Sequence, residues 1–264
     1  VADYALTLND SEVERYRIMA DSAERREREL WGAAGAVPGA RIADVGCGPG
    51  AIAVRLAAIA APDGAVWAVD RDGDALAVAS ALAARSGVPV HTSVGSADAT
   101  GLAAGTFDLV MLRHVLAHNG GREQAIVDHL AALAKPDGGA VYLVDIDASS
   151  SRLRGAGPVF DEMDERYREL HRRRGNDLTV GTRLDELLTA AGLEIIAFEG
   201  HITVLTPPPG MRGPVWAARD ALIAEGLATP DDIARWDGAF QRAEHARSEV
   251  RFFAANFVAV GRRT

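Results

Sequence analysis

At 264 residues, with 48% hydrophobic and 25% charged residues, the chain is long enough to bury one sizeable α/β core with insertions. Its formal net charge of -9 opposes binding to a polyanion, so nucleic acid is not an expected partner, and no apolar run approaches the ~18 residues that a membrane span needs. The single cysteine, Cys47, excludes a disulfide framework, and with no basic-then-apolar leader the expectation is a reducing cytoplasm.

Ser11-x-x-Glu14 has the pattern of a capping box, which predicts a helix from near Ser11 to about Trp31. Arg41 to Val45 reads as a short buried strand. The following "AIAVRLAAIAAP" sets Ile52, Leu56 and Ile59 on one helical face, until Pro62, Asp63 and Gly64 end it. The alternation continues with a strand over 65–69, a helix over 74–86, strands over 90–93 and 107–112, a helix over 122–133 and a strand over 140–146. Such alternation predicts right-handed βαβ units in a parallel sheet covered on both faces. After Asp147, "ASSSRLRGAGP" reads as loop, followed by a charged helix over 160–174, a helix over 183–191 and a strand over 194–205. "TPPPGMRGP" blocks both helix and central strand, because proline lacks an N–H donor. A second helical insertion covers 216 to about 247, and a strand over 251–261 closes the chain. The locally basic "RYRELHRRRG" reads as a solvated helix face paired with Asp161, Glu162, Asp164 and Glu165; the sharper alternative is a dock for an anionic substrate.

Between the first strand and its helix stands "ADVGCGPGA", where Gly46, Gly48 and Gly50 allow close backbone approach and leave a helix N-terminus, about +0.5 charge, facing a ligand. The string also satisfies a relaxed dinucleotide fingerprint, with Asp70 near the expected downstream acid position. Three features point elsewhere. Asp44 stands two residues before the first glycine, where it would repel a pyrophosphate but attract an ammonium. Lys135 is the sole lysine, so neither a Walker Gly-Lys-Ser/Thr nor a Tyr-x-x-x-Lys pair is present. Finally, "SADATGLAAGTFDLVMLRHVLAH" places a further acid, Asp98, ahead of a strand.

On these segments the sequence resembles the class I S-adenosylmethionine-dependent methyltransferases, especially small-molecule enzymes such as the ubiquinone and menaquinone methyltransferases and their natural-product relatives. The resemblance is strong over 42–146 and holds in outline elsewhere. It implies an α/β, Rossmann-like, seven-stranded, mostly parallel sheet with helices on both faces, an antiparallel last strand and helical lid insertions. One domain would then span 1–264, comprising an N-terminal helical lid (1–40), a cofactor-binding core (41–147), a helical insertion (148–181), the remaining core (182–206 and 250–264) and a helical cap (207–249). The resemblance assigns Asp44, Gly46, Cys47, Gly48 and Gly50 to the methionine part of S-adenosylmethionine, and Asp70 to the ribose hydroxyls. Asp98 and Ala99 go to the adenine, and Arg113 to the methionine portion through its backbone. Arg71 departs from the small or apolar residue usual there; a guanidinium can stack on the adenine ring. Tyr4, Leu6, Glu12 and Arg15 match a lid segment of some relatives, which makes Tyr4 and Arg15 candidate contacts to the cofactor. The donor inventory agrees, since an ammonium, a diol and an exocyclic amine can each donate to a carboxylate.

Methyl transfer is an in-line displacement whose main requirement is orientation, worth ~7 to 11 kcal/mol; a positioned base adds ~10² to 10⁴ in rate for acceptors that must lose a proton. His118 and His114 in "RHVLAHN" are the candidate bases and would share one helical face if a turn of helix forms there. Asp145 and Asp147 are weaker candidates that read better as loop caps. Some of Trp31, Phe160, Met163, Tyr167, Met211, Trp216, Trp236 and Phe240 are expected to line an apolar acceptor pocket. The expected partner is therefore a small-molecule methyl acceptor, with no metal and no membrane involved; a homo-oligomer is compatible. The alternatives are a nucleotide-cofactor oxidoreductase and a non-catalytic methyltransferase-like binding protein.

Overall fold

The computed structural model describes residues 10–246 and 249–264. The expectations on Tyr4 and on the Ser11 cap fall outside the described residues and side chains.

Helix α1 (Asp10–Ala33) precedes the sheet. Its buried stripe is Ala20, Ala23, Glu27 and Trp31, a helical spacing with one carboxylate in it. The core then runs β1 (Arg41–Val45), α2 (Ala51–Ala60), β2 (Ala65–Asp70), α3 (Gly73–Ser86), β3 (Val90–Val94), β4 (Leu109–Arg113), α4 (Glu123–Leu133) and β5 (Ala140–Arg154). After it come α5 (Pro158–Arg173), α6 (Leu184–Ala190), β6 (Glu194–Leu205), the short α7 (Pro214–Ala217) and α8 (Arg219–Ala224), α9 (Pro230–His245) and β7 (Arg251–Arg262). The seven strands form one sheet in the order β3-β2-β1-β4-β5-β7-β6. Strands β1 to β5 are parallel, and β7 runs antiparallel to both β5 and β6.

Because successive strand residues face opposite sides, the sheet separates two cores. Ile42, Leu109, Met111, Ala140 and Tyr142 pack with Ala23 and Trp31 of α1 and with Leu56 of α2. Ala43, Val45, Val110, Leu112, Val141 and Leu143 pack with α4, α5, α6 and α9 on the other side. The chain leaves β1 toward β2, whereas β4 lies on the other flank of β1. A crevice therefore opens at the carboxyl ends of β1 and β4, the position where open α/β sheets bind ligands.

One sequence expectation fails here. "ASSSRLR" is not loop: β5 continues through it to Arg154, pairing with Arg251, Phe252 and Phe253 of β7 after a register shift between Asp147 and Arg152. The parallel neighbour β4 ends opposite Val144, so this extension has a partner only on its antiparallel side. Ser149, Arg152 and Arg154 are accordingly exposed and Ser150 and Ser151 half-buried, without the apolar run of a central strand. Among the described residues no helix is long and apolar enough to cross a membrane.

Candidate cofactor-binding and active site

The loop after β1 is built so that backbone alone faces the crevice. Gly46 has φ 68°, its N–H donates to the Val69 carbonyl (2.7 Å), and a Cβ there would stand 2.4 Å from Val115 Cγ2. Gly48 has φ 52°, and a Cβ on it would come within 3.5 Å of the Tyr16 ring of α1. The N-terminal helix therefore lies over the loop. Gly50, also at positive φ, is the N-cap of α2 and provides no side-chain cap, so the first-turn N–H groups keep their positive pole for a ligand.

Carboxylates flank this loop. Asp44 is 2% exposed and its Oδ2 is buried without a hydrogen-bond partner. Burial pushes it up to about 7, the Arg113 charge pulls it down, and Asp70 raises it again. Burial beside these two acids also pushes the Cys47 thiol up. Asp70, at the end of β2, is held from both sides: Oδ2 accepts the Gly48 N–H (2.8 Å) and Oδ1 the Asp72 N–H (3.0 Å). Asp98 follows β3, where Arg122 and then Ser96 Oγ (2.7 Å) donate to it and hold it below the usual carboxylate range. Ala99 bonds back to the Ser96 carbonyl at 3.0 Å. A carboxylate has about four acceptor positions, so Asp70 and Asp98 retain capacity for a ligand. A buried acceptor without a donor, a helix N-terminus and a loop that side chains would fill together fit the ammonium-bearing arm of an adenosyl amino acid.

The Arg113 side chain, as distinct from the backbone assigned to the cofactor, is committed to α1. Its guanidinium grips Glu27 of α1 with both arms, at 2.5 and 3.1 Å. Glu27 also accepts from Tyr142 Oη (2.9 Å) and Trp31 Nε1 (3.2 Å). Burial alone would raise Glu27, but these donors, Arg113 foremost, hold it below its ordinary range. Arg55 of α2 adds a second tie to α1, through Asp21 and Glu24. Arg15 donates to Met19 Sδ at 3.2 Å and lies over the Tyr16 ring, while Arg71 is exposed just after β2.

The histidines do not share a helical face. His114 sits in the left-handed region at φ 55°, and Leu116–His118 forms a single 3₁₀ turn. That turn is set by Asp145 of β5, 1% exposed, whose Oδ2 accepts the Ala117 N–H at 3.1 Å; burial pushes Asp145 up to about 7. Asp147 Oδ1 accepts from the Ser149 N–H (2.9 Å) and Oγ (2.6 Å) at the irregularity in β5. Burial, and then the Arg113 and Arg15 charges, push His114 down to about 3. Burial, then His171, Arg15 and Arg71, push His118 to about 3. Both rings are thus neutral at pH 7. The His118 ring meets that of His171 on α5 at 5.0 Å, joining the loop after β4 to the first inserted helix.

Of the expected pocket residues, Phe160, Met163, Tyr167, Trp216, Trp236 and Phe240 belong to one apolar cluster, with Phe240 edge-on to Phe160 (5.0 Å) and Trp216 (5.5 Å). Trp31 lies in the opposite core, apart from that cluster, and Met211 belongs to neither core. The basic run is a paired face, although with a wider set of acids than the sequence indicated. Arg166 meets Glu162 and Asp232, Arg168 meets Asp164, Arg172 and Arg173 meet Glu169, and Arg174 meets Glu225.

Two residues escaped the sequence reading. Glu27 was visible only as a lone acid within the apolar stripe of α1. His171 was hidden in the basic run; it is 1% exposed and its Nε2 is buried without a partner. Asn176 Oδ1 accepts from the Gly120 N–H (3.2 Å), so its Nδ2 faces His171 Nδ1 (2.9 Å) as donor, which puts the His171 proton on Nε2.

Residues 42–138 match the family model described as a methyltransferase domain. No curated protein matches the chain. Among solved structures, it is similar to a protein from Bacillus halodurans C-125 designated a methyltransferase, with 19% identity, 90% of this chain and 99% of that one covered and a TM-score of 0.59. It is also similar to an S-adenosylmethionine-dependent methyltransferase from Aquifex aeolicus, with 16% identity, 72% and 92% covered and a TM-score of 0.52. A third is Haemonchus contortus phosphoethanolamine N-methyltransferase 2, solved with phosphomonomethylethanolamine and S-adenosylhomocysteine, with 18% identity, 90% and 52% covered and a TM-score of 0.52. At such identities the likeness is one of fold; the family match spans the glycine loop and the carboxylate edge, so residues 42–138 form a methyltransferase domain within a seven-stranded, Rossmann-like sheet.

Proposed function

We propose that this protein transfers a methyl group from S-adenosylmethionine to a small, largely apolar organic metabolite, in the cytoplasm. The observation that carries this reading is the bare glycine loop flanked by the unpartnered Asp44 oxygen and the oriented Asp70 carboxylate. When bound, the cofactor supplies an electrophilic methyl on a sulfonium. Asp44 would accept from its amino group, Asp70 from its ribose hydroxyls, and Asp98 with Ala99 would flank the adenine. Tyr16 and the rest of α1 close over the loop and exclude water, which an in-line displacement requires.

His118, whose ring meets His171 of the first inserted helix, is the proton acceptor best placed toward a substrate held under the cap; His114 is the second candidate. The aromatic cluster of α5, α7 and α9 suits an acceptor with an apolar body. Calorimetry tests the reading directly: the purified protein should bind S-adenosylhomocysteine in preference to NAD or NADP, and equal or tighter nicotinamide binding would overturn it.

A further inference from the structure

Asp44 and Arg113 face the same compartment. In the parallel register Asp44 stands opposite Met111, and Arg113, two residues further along β4, falls on the same face of the sheet. The two charges influence each other. A guanidinium on the same sheet face as a buried carboxylate, and sensing its charge, is a natural partner for it, since two parallel N–H···O bonds are among the stronger polar contacts available. Yet Asp44 Oδ2 has no partner. The reason is on α1, where Glu27, 6% exposed, takes both arms of Arg113 and is itself fixed by Tyr142 and Trp31.

We propose that Glu27 is a positioning residue for the cofactor: by engaging both arms of Arg113 it keeps the guanidinium off Asp44 and leaves that carboxylate open to the cofactor's ammonium. The inference rests on the reading of the crevice as an adenosylmethionine site. It gives the N-terminal helix a role beyond covering the loop, because the helix brings the acid that holds the competing cation away.

The experiment compares two ligands by calorimetry at pH 8, above the point near which Asp44 titrates. S-adenosylhomocysteine carries the ammonium, whereas 5′-methylthioadenosine has the adenosine and thioether without the amino-acid arm. In Glu27→Gln the released guanidinium turns to Asp44. Affinity for S-adenosylhomocysteine should then fall about ten- to a hundredfold, the loss of one charge-assisted hydrogen bond, while affinity for 5′-methylthioadenosine stays within about twofold. Removing the competitor as well, in Glu27→Gln/Arg113→Gln, should return S-adenosylhomocysteine binding to within about threefold of wild type, a modest residual loss expected because Asp44 ionises less readily without its neighbouring cation.

Equal loss of both ligands in Glu27→Gln, or loss of neither, would overturn the proposal. If the single variant does not fold, the double variant decides alone, since it leaves no buried charge of the pair without its partner. Wild-type-like binding of both ligands supports the proposal, and selective loss of S-adenosylhomocysteine overturns it by making Arg113 itself the contact. A wild-type protein that binds neither ligand would instead remove the cofactor reading on which the proposal stands.

Discussion

Lowering the pH from 8 to 6 should weaken binding of S-adenosylhomocysteine about tenfold, because the Asp44 carboxylate titrates near 7 in the free protein. At pH 8 about nine-tenths of it is ionised and at pH 6 about one-tenth, and a tenfold change corresponds to ~1.4 kcal/mol. The sign follows from linkage. Asp44 lies above its unfolded value of ~3.9, so its contribution to the stability of the ligand-free fold is complete below about pH 4 and is lost as pH rises through about 7. An ammonium ligand acts in the opposite sense, since it favours the ionised form and stabilises the protein more at pH 8 than at pH 6. The assay is calorimetry at half-unit steps, with 5′-methylthioadenosine as the ligand that does not sense Asp44. Deprotonation of the ligand's own ammonium at high pH would weaken binding there, so it cannot imitate the expected trend. Asp145, also near 7, is separated by Asp44→Asn, in which the pH dependence should vanish and the affinity at pH 8 fall by ~1.5 to 3 kcal/mol. A flat profile in wild type, or one unchanged in Asp44→Asn, would refute the assignment of Asp44 to the ammonium.

Asp70→Ala should weaken both S-adenosylhomocysteine and 5′-methylthioadenosine by ~1.5 to 3 kcal/mol per lost charge-assisted bond; an effect on the first ligand alone would move Asp70 away from the ribose. His118→Ala should lower turnover by ~10² to 10⁴ on an acceptor that must lose a proton, with S-adenosylhomocysteine affinity unchanged, whereas a fall in melting temperature with normal turnover would make the ring structural. Gly46→Ala meets Val115 and needs a positive φ, so it should cost ~1 to 3 kcal/mol in denaturant unfolding; a wild-type midpoint would mean the loop relaxes freely.

The carboxylate edge could be read from the sequence because chain order becomes spatial order in this topology. Strands β1, β2 and β3 are consecutive and adjacent, so acids ending each of the first two and following the third must line up along one edge. Right-handed βαβ connections leave little other choice. The continuation of β5 through Ser149 to Arg154 could not be read the same way. Its pairing depends on β7, about a hundred residues later, and a strand with one neighbour and half-exposed faces lacks the apolar run that marks a central strand.

The histidine turn and the Glu27 pair show where local pattern stops informing on the site. Spacing four apart places His114 and His118 on one face only if the backbone between them is helical. A side chain 28 residues further along the chain settles that question, since the Asp145 carboxylate takes the Ala117 N–H and holds a 3₁₀ turn where the local sequence offered an α-turn. Arg113 and Glu27 are separated by 86 residues, and neither position is unusual by itself: an arginine ending a strand and a glutamate on a helix are ordinary surface residues. They become a buried pair because α1 crosses the carboxyl end of β4, and the same crossing places Tyr16 over Gly48. The elements follow from periodicity, but the electrostatics of the cofactor edge follow from which distant polar groups the packing forces together. On the proposal made above, Glu27, 86 residues from Arg113, is the group that leaves Asp44 to the cofactor's ammonium.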